Sequence, residues 1–314
     1  MSRKLRVAAA QLGPIQLADS KPSVMRRLLS LMDEAHATGC RVIVYPELAL
    51  TTFFPRHWRE SIAEIDQWFE REMPSIETRP LFEAAVRLQI SFYLGYAELT
   101  SEQGTPRHYN TSILVGPDGR IVGKYRKVHL PGHRDFRKGY SFQQLEKRYF
   151  DVGNLGFPVW WHRDVVMGMA ICNDRRWPET YRVMGLQNVE LIMLGYNTHT
   201  INQYHVESKH LKMLHHQVVM QAGAYQNGTW IVAAGKTGVE DGCELMGGSC
   251  IVAPTGEIVA HAVTQEDELI AFTCDMDLGT QTKQNRFNFA EHRRIEHYGL
   301  ITQRAGAVAP PKPQ

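Results

Sequence analysis

Residues 112–123 read Ser-Ile-Leu-Val-Gly-Pro-Asp-Gly-Arg-Ile-Val-Gly, and residues 249–260 read Ser-Cys-Ile-Val-Ala-Pro-Thr-Gly-Glu-Ile-Val-Ala. The two stretches align without gaps, and each predicts a strand, a turn containing Pro and Gly, and a returning strand. The elements predicted before each hairpin also follow the same order: strand, helix, strand with a polar end, helix and strand. The sequence therefore predicts two similar halves, each of which supplies one sheet.

Two such sheets bury the apolar faces of both when they stack face to face with their helices outside. We therefore predict an α+β fold, a four-layer α-β-β-α sandwich of two mixed sheets, formed by a single domain over residues 1–304. Residues 305–314 are rich in Ala, Gly and Pro, and they predict a disordered tail.

The composition is that of an ordinary globular protein, with 314 residues of which 43% are hydrophobic and 22% are charged. The net charge is +2 and the charges are dispersed, so nucleic acid is not an expected partner. No apolar run is long enough to span a membrane and no signal-peptide pattern begins the chain, so we expect a cytoplasmic protein without a membrane partner. The five cysteines lack a C-x-x-C spacing, which favours reduced thiols; Cys250 and Cys274 fall within predicted strands, as inert core residues do.

The stretch Met167-Gly-Met-Ala-Ile-Cys-Asn-Asp-Arg-Arg-Trp-Pro178 places a lone thiol after a predicted buried strand, residues 165–171. Pro178 suits the first turn of a helix, which residues 179–186 predict. Backbone N–H groups and a positive helix end beside Cys172 would lower the thiol pKa from about 8.5 and favour the nucleophilic thiolate. The alternative is a buried cysteine that acts as a small hydrophobic side chain.

Two further candidate residues follow predicted strands. Glu47 comes directly after the buried strand 42–45, at the sheet edge where sites collect, and partial desolvation would raise its pKa toward that of a useful base. Lys127 ends the return strand of the first hairpin. The alternative for Glu47 is a carboxylate that pairs locally. The alternative for Lys127 is a solvated basic residue at a strand end, since Lys124, Arg126 and Lys127 cannot all be catalytic. A thiolate, a carboxylate and an ammonium together suit acyl transfer.

The segment 132–153 is polar and aromatic-rich, and its length is typical of loops that build a site. Glu146 lies within this segment, next to Lys147 and Arg148. An ion-paired surface position is its default interpretation.

A helix predicted over residues 207–226 carries an apolar face and lies beside a group of histidines. The apolar face consists of Leu211, Leu214, Val218, Ala222 and Tyr225. The histidines are His205, His210, His215 and His216, whose spacing of five does not place ligands on one helical face, and no H-E-x-x-H occurs. No G-x-G-x-x-G follows a predicted strand either. We therefore expect neither a metal nor a cofactor.

Three motifs resemble the nitrilase (carbon–nitrogen hydrolase) superfamily, whose signature is a Glu-Lys-Cys triad on such a sandwich. They are Tyr45-Pro46-Glu47, Tyr125-Arg126-Lys127-Val128-His129-Leu130 and Ile171-Cys172-Asn173-Asp174-Arg175-Arg176-Trp177-Pro178-Glu179. Within the superfamily, residues 46–55, 145–150 and 172–179 look most similar to the N-carbamoyl-D-amino acid amidohydrolases (D-carbamoylases). The resemblance spans roughly residues 5–303.

The resemblance implies a catalytic role for four matching residues. Cys172 would attack the ureido carbonyl carbon, and Glu47 would take the thiol proton and later activate water. Lys127 would hold the oxyanion, aided by the backbone N–H of Asn173. Glu146 matches a second Glu that assists the acid–base chemistry or orients Lys127. A thiocarbamoyl enzyme would form, and the products would be a D-amino acid, carbon dioxide and ammonia.

The resemblance also implies a set of substrate-binding residues: His129, Asn173, Arg175, Arg176, Asn197 and Thr198. A guanidinium can bind a carboxylate through two parallel hydrogen bonds, so one of the two arginines is expected to hold the carboxylate of the substrate. At least one is expected to be structural and to face Asp174 or Glu179. His129 has a second interpretation as a packed, hydrogen-bonded core group.

The chain departs from the D-carbamoylases at Gln144, where they have His, and at residues 199–206, where they are rich in proline. The preferred substrate side chain is therefore left open, and the D preference rests on the resemblance alone. A nitrilase or aliphatic amidase is the alternative within the superfamily, and it would leave the arginine pair without a carboxylate to bind. A non-catalytic member is a further alternative, against which the complete triad argues. By analogy we expect a homodimer or homotetramer that acts on a small-molecule N-carbamoyl amino acid.

Overall fold

The structure is a computed structural model that describes residues 2–201 and 207–312. In this part of the chain two six-stranded sheets stack face to face, and helices cover both outer sides. The predicted four-layer α+β sandwich is confirmed. No helix within the described ranges is long and apolar enough to cross a membrane. Residues 305–312 are exposed and carry neither helix nor strand, and their disorder stays a prediction.

The first sheet consists of β1 (Lys4–Gln11), β2 (Val42–Val44), β3 (Ser91–Glu102), β4 (Thr105–Val115), β5 (Ile121–Arg126) and β14 (Glu268–Asp275). Its strand order is β14-β1-β2-β3-β4-β5, and the three strands β1, β2 and β3 run parallel. Its outer face is covered by α1 (Lys21–Ala37) and α2 (Arg79–Leu88). Ser20 caps α1 by accepting a hydrogen bond from the backbone N–H of Ser23.

The second sheet consists of β6 (Val159–His162), β7 (Val165–Ile171), β8 (Leu191–Tyr196), β9 (Trp230–Gly235), β12 (Cys250–Val252) and β13 (Ile258–His261). Its strand order is β13-β12-β9-β8-β7-β6, with β7, β8 and β9 parallel. The helices α4 (Pro178–Gly185) and α5 (Lys209–Asn227) lie on its outer side. The described ranges also contain α3 (Glu146–Tyr149), the hairpin of β10 (Thr237–Glu240) and β11 (Cys243–Met246), and α6 (Thr280–Gln284), α7 (Phe289–His292) and α8 (Gly299–Gln303). Within these ranges, four short 3₁₀ helices lie at Phe54–Arg56, Ile62–Trp68, Cys172–Arg176 and Ile295–His297.

The predicted internal repeat is confirmed. The order β1-α1-β2-α2-β3 precedes the hairpin β4–β5, and the order β7-α4-β8-α5-β9 precedes the hairpin β12–β13. Gly119 and Gly256 take φ values of 75° and 88° in the two hairpin turns, where a side chain would be strained.

The assignment of one sheet to each half is wrong at a single strand. β14 belongs to the second half in sequence, yet it pairs antiparallel with β1 of the first sheet, from Lys4 opposite Asp275 to Gln11 opposite Glu268. The pairing satisfies the backbone groups at the outer edge of β1, as β6 does for β7 in the second sheet. The C-terminal strand therefore ties the two halves together.

Helix α5 does not bury the face that its apolar pattern predicts. Leu211, Leu214 and Val218 are 42%, 46% and 47% exposed. The side turned inward instead carries His216, Met220, Gly223, Ala224 and Asn227. Small residues allow this close packing, since a Cβ at Gly223 would lie 2.8 Å from the ring of Tyr181 on α4. The larger apolar side chains are left on the surface.

Candidate active site

Glu47 lies in the turn that follows β2, between the two sheets. Gly95 of β3 and Gly195 of β8 leave the space for this turn. A Cβ at Gly95 would lie 2.7 Å from the Cα of Glu47, and a Cβ at Gly195 would lie 2.6 Å from its backbone nitrogen. The turn is therefore held from both sheets, and the Glu47 side chain is fully buried.

The Glu47 carboxylate is fixed through both of its oxygens. Asn110 Nδ2 and Lys127 Nζ donate to Oε1 at 2.8 and 2.7 Å, and the backbone N–H of Asn197 donates to Oε2 at 2.9 Å. The partners come from β4, from the end of β5 and from the end of β8. Glu47 is thus held by groups distant in sequence and is not a locally paired surface residue.

Lys127 lies directly after β5 with its ammonium buried between two carboxylates, those of Glu47 and Glu146. Burial alone would lower the pKa of this ammonium, but the Cys172 sulfur once it is ionised, and the carboxylates of Glu146 and Glu47, raise it above its ordinary value. Lys127 therefore carries a permanent positive charge beside the thiol. A solvated basic strand end is excluded.

The neighbouring basic residues belong to a different group of charges. Lys124 Nζ and Arg126 Nε bind the Glu98 carboxylate at 2.6 and 2.8 Å, on the far side of β5 from the thiol. Of the three basic residues in this run, the structure brings only Lys127 to the candidate site.

The default interpretation of Glu146 as a surface residue is wrong. It is the first residue of α3, is buried, and hydrogen-bonds Lys127 through Oε2. Burial is the main reason why the pKa of Glu146 is raised to about 7, and the charge of Glu47 adds to the effect while Lys127 opposes it. Glu146 can therefore change its charge within the physiological pH range.

Cys172 begins a short 3₁₀ turn, Cys172–Arg176, directly after β7. Its φ is 49°, which is uncommon outside glycine, and its thiol donates to the carbonyl oxygen of Asn197 at 3.4 Å. The expected lowering of the thiol pKa is wrong. Burial, followed by the charge of Glu47, raises the pKa of Cys172, although Lys127 and Arg175 act in the opposite direction. The thiol therefore needs a base in order to become a nucleophile.

Asn197 connects the thiol to that candidate base. Its backbone N–H binds Glu47 Oε2, its backbone carbonyl accepts from Cys172, and its Nδ2 donates to the backbone oxygen of Glu47 at 2.7 Å. No direct hydrogen bond between Cys172 and Glu47 is present among the described contacts. The predicted substrate contact of Asn197 stays a prediction, and the structure shows its amide nitrogen engaged with Glu47.

The positive φ of Cys172 is held by buried polar groups on the turn. Asp174 accepts from Tyr125 Oη at 2.7 Å, from the backbone N–H of His129 at 2.9 Å and from that of Ile171 at 3.1 Å. Arg175 Nη1 donates to the carbonyl oxygen of Cys172 at 2.7 Å. Strain of this kind costs about 1–3 kcal/mol and persists where the surroundings over-determine it, as here.

The two arginines after Cys172 differ in environment. Arg175 is fully buried, donates to Thr198 Oγ1 at 2.9 Å and lies 4.8 Å above the ring of Tyr196. Arg175 is therefore the structural member of the pair. The prediction that such an arginine faces Asp174 or Glu179 is wrong, because Arg175 binds the Cys172 carbonyl and Thr198.

Arg176 is the member of the pair that faces a cavity. Its Nη1 donates to Asn173 Oδ1 at 3.2 Å, and no carboxylate of the described residues forms an ion pair with it. The adjacent charge of Arg175 lowers the pKa of Arg176 to about 10, so that this solvent-exposed guanidinium stays protonated at neutral pH. An anion bound here would relieve the repulsion between the two guanidinium groups.

The cavity has a volume of about 290 Å³ and reaches the thiol of Cys172. Five other residues predicted for the site line it: Glu146, Asn173, Arg176, Asn197 and Thr198. The lining residues that the sequence did not single out for the site are Phe53, Arg56, Pro131, His199, Glu207, Lys212 and His215. Gln144 also lines it, and its Nε2 lies 2.7 Å from Nε2 of His199.

His129 does not line this cavity. Its Nδ1 lies 2.8 Å from Asp174 Oδ1, and its ring stacks on Trp177 at 5.0 Å between centroids. It borders a separate cavity of about 620 Å³, which Asn173 also touches. The second interpretation of His129, as a packed and hydrogen-bonded group, fits these contacts, and its role in substrate binding stays a prediction.

The predicted histidine group shows no metal-binding arrangement. Among residues 2–201 and 207–312, no three His, Cys, Asp or Glu side chains converge as metal ligands would. His215 binds Glu207, and the buried His216 lies 3.2 Å from the carbonyl oxygen of Gly248. His205 falls outside the described residues.

Three of the residues that the sequence did not single out for the site show how weak their sequence signals are. Asn110 lies in a polar part of β4 that does not read as a strand, so its approach to Glu47 was not predicted. Arg56 is buried against Glu240, far along the chain, and Lys212 lies among apolar residues of α5. Of these three, only Lys212 had a usable sequence signal, since a charged residue there interrupts the apolar pattern of the predicted helix.

Comparison with known proteins identifies relatives along nearly the whole chain. A family model described as carbon–nitrogen hydrolase matches residues 6–284. An N-carbamoylputrescine amidase of Arabidopsis thaliana is 29% identical over 86% of this chain and 87% of its own length. A citrullinase of Francisella tularensis is 28% identical over 96% of this chain and 99% of its own. A carbon–nitrogen hydrolase of Helicobacter pylori has the same fold, with a TM-score of 0.82 and 21% identity over 96% of this chain and 99% of its own.

Proposed function

Because the chain belongs to the carbon–nitrogen hydrolase family, we propose that it hydrolyses N-carbamoyl-D-amino acids to the D-amino acid, carbon dioxide and ammonia. One observation supports a carboxylate-bearing substrate above all. Arg176, a guanidinium without an ion pair among the described residues, lines the cavity that contains the Cys172 thiol. The D configuration comes from the motif resemblance.

The proposed reaction begins at the thiol. Glu47 takes the proton of Cys172, and the sulfur attacks the ureido carbonyl carbon. Lys127 stabilises the oxyanion that forms, since its charge is fixed between two carboxylates next to the sulfur. One C–N bond then breaks, and Glu47 delivers the proton to the leaving nitrogen.

Water completes the cycle. Glu47 takes a proton from a water molecule, which attacks the thiocarbamoyl carbon; the carbon–sulfur bond breaks and Glu47 returns the proton to the Cys172 sulfur. The carbamic acid that is released then breaks its remaining C–N bond, and gives carbon dioxide and the second nitrogen product. The net reaction consumes one water and gives one amino acid, one carbon dioxide and one ammonia. Apart from the substrate and water, the scheme uses only side chains and backbone groups of this chain.

Arg176 would bind the substrate carboxylate and hold the ureido carbon over the sulfur. The name of the Arabidopsis relative refers to an N-carbamoyl amine, which supports a ureido group as the cleaved part. A cationic amine would be repelled by Arg176, and a carboxylate would be attracted. The charge of the cavity therefore favours an N-carbamoyl amino acid.

A substrate panel tests the proposal. Matched D and L forms of N-carbamoyl-alanine and N-carbamoyl-valine, N-carbamoylputrescine, citrulline, an aliphatic amide and a nitrile are assayed for both ammonia and carbon dioxide. We expect equal amounts of both gases from the D-ureido acids, and no turnover by Cys172→Ala. Turnover only of the amide or nitrile, with ammonia alone, would contradict the proposal, as would a preference for N-carbamoylputrescine.

We also propose that the chain forms a homodimer or homotetramer, which the exposed apolar residues of α5 support. A cytoplasmic location is part of the same proposal. The five cysteines are free and buried, which fits a reducing compartment.

A further inference from the structure

Lys212 is, after Arg176, a second cation that lines the cavity of Cys172 without an ion pair among the described residues; Arg56, which also lines it, pairs with Glu240. It lies in the first turn of α5, where the helix dipole disfavours a positive charge, and that turn carries no acidic residue. Its Nζ donates to the backbone carbonyl of His199 at 2.9 Å. No carboxylate of the described residues forms an ion pair with it. Lys212 therefore keeps donor capacity toward the cavity, since an ammonium has three N–H groups.

The other charges facing this part of the cavity leave that donor capacity in place. Arg176 repels Lys212, and Glu207 attracts it while also binding His215 Nδ1 at 2.7 Å. The imidazole of His199 is neutral at physiological pH, because burial lowers its pKa to about 3. The thiol of Cys243 on β11 is buried, and burial raises its pKa, so that it carries no charge at neutral pH. Lys212 and Arg176 therefore face the bound molecule without an ion pair among the described residues, beside the acids Glu207 and Glu146.

We propose that Lys212 is a specificity-determining residue that binds an anionic group on the substrate side chain, so that N-carbamoyl amino acids with short acidic side chains are preferred. The inference rests on the proposed function, in which Arg176 takes the α-carboxylate. Two separate cations then match the two carboxylates of a dicarboxylic ureido acid. The chemical class is that of N-carbamoyl aspartate and N-carbamoyl glutamate.

The protonation of Lys212 gives the preference a pH dependence. Burial lowers the pKa of Lys212 to about 8, Glu207 opposes the effect and Arg176 adds to it. The ammonium is therefore present below pH 8 and is lost as the pH rises above it in the free enzyme. The preference for an acidic side chain should fall over the same range.

The test compares kcat/KM for N-carbamoyl-D-aspartate and its neutral isostere N-carbamoyl-D-asparagine. Carbon dioxide is measured, because hydrolysis of the side-chain amide does not release it. The variants are Lys212→Met, Lys212→Arg and, as a matched control on the same helical turn, Lys209→Met. Lys209 is exposed and pairs with Glu244 outside the cavity.

We expect the wild type to favour the aspartate derivative, and Lys212→Met to lose about 10–100-fold in kcat/KM for it, mainly through KM. The asparagine derivative should change little, Lys212→Arg should keep the preference, and Lys209→Met should resemble the wild type. Direct binding of both compounds to Cys172→Ala with and without Lys212→Met gives a second readout that does not need turnover.

Several results would overturn the inference, and they differ from a failure of the proposed function. If the wild type hydrolyses neutral N-carbamoyl-D-amino acids but not the acidic ones, Lys212 has no such role while the proposed function stands. Equal losses on both substrates in Lys212→Met would assign Lys212 to the α-carboxylate and would also refute it. If no N-carbamoyl amino acid is bound or hydrolysed, both proposals fail together.

Discussion

Glu146 is the residue of the site whose charge is most sensitive to pH. Its pKa is raised to about 7, mainly by burial, so it is protonated below pH 7 and ionised above it. Only the ionised carboxylate forms an ion pair with Lys127. We therefore predict that kcat/KM falls as the pH drops through about 7, and that Glu146→Gln lacks this step and is about 10²–10⁴-fold slower above it.

A pH–rate profile from pH 5 to 9 checks this prediction. His215→Gln is the control, because it removes an imidazole from the same cavity while leaving Glu146 in place. The control should keep the step near pH 7. A profile in which Glu146→Gln retains the step and His215→Gln loses it would assign the step to the imidazole.

Arg175 and Arg176 are adjacent in sequence but should respond differently to substitution. Arg176→Met should raise KM by about 10–100-fold with little change in kcat, because one charged contact to the substrate is lost. Arg175→Met should instead lower the stability by about 2–4 kcal/mol, since Arg175 makes its hydrogen bonds inside the protein.

Steady-state kinetics and urea unfolding of both variants separate the two roles. If Arg175→Met folds normally and has a raised KM, Arg175 and not Arg176 would be the residue that binds the substrate. Equal KM values for Arg176→Met and the wild type would remove the main support for a carboxylate-bearing substrate.

Single residues of the site were predictable where they follow a buried strand. Glu47 and Cys172 come just after buried apolar strands and Lys127 follows the return strand of the first hairpin, and the structure places all three at the same end of the sandwich. The environment of each residue was harder to predict. The burial of Glu146 and the raised pKa of Cys172 arise from partners far along the chain, which no local pattern reveals.

The turn after β2 depends on two glycines in two different strands. A Cβ at Gly195 would lie 2.6 Å from the backbone nitrogen of Glu47 and 2.8 Å from the carbonyl carbon of Pro46. Gly195→Ala should therefore displace the Glu47 carboxylate, lower kcat by about 10²-fold and cost about 1–3 kcal/mol of stability. Gly299→Ala, which meets only the end of the flexible Gln303 side chain, is the control.

The measurement is kcat together with the thermal midpoint for both variants. A Gly195→Ala protein that keeps full kcat would show that the turn can shift without moving the carboxylate. Loss of kcat in Gly299→Ala as well would indicate a general effect on folding.

Helices and strands could be predicted where their apolar residues recur with the period of a helix or of a strand. The two hairpins with a Pro-x-Gly turn were found from their sequence echo, and the order of elements before them followed. β6, β10 and β11 were not predicted, because each has only four residues and no clear alternation. The prediction of which side of α5 is buried was wrong. Gly223 and Ala224 allow the helix to approach its neighbours closely, which larger apolar side chains would prevent.

At the scale of the whole molecule, the candidate site belongs to both sheets. Glu47 and Lys127 come from the first sheet, whereas Cys172 and Asn197 come from the second. The spacing of the sheets therefore sets the distance between the proposed base and the proposed nucleophile. The hydrogen bonds of Asn197 to both Glu47 and Cys172 fix this spacing at the site itself.

The exposed face of α5 should be where two copies of the chain meet. Leu211, Leu214 and Val218 follow one another at helical spacing on the surface, and covering them removes apolar area from water. The double change Leu214→Lys and Val218→Lys should convert the oligomer to a smaller species without unfolding it, because both side chains already face solvent. Light scattering coupled to size-exclusion chromatography measures the mass.

Val86→Lys on α2, which is 44% exposed on the opposite outer layer, should leave the mass unchanged. A wild-type protein that runs as a monomer at all concentrations would refute the oligomer, and an unchanged mass in the double variant would place the interface elsewhere.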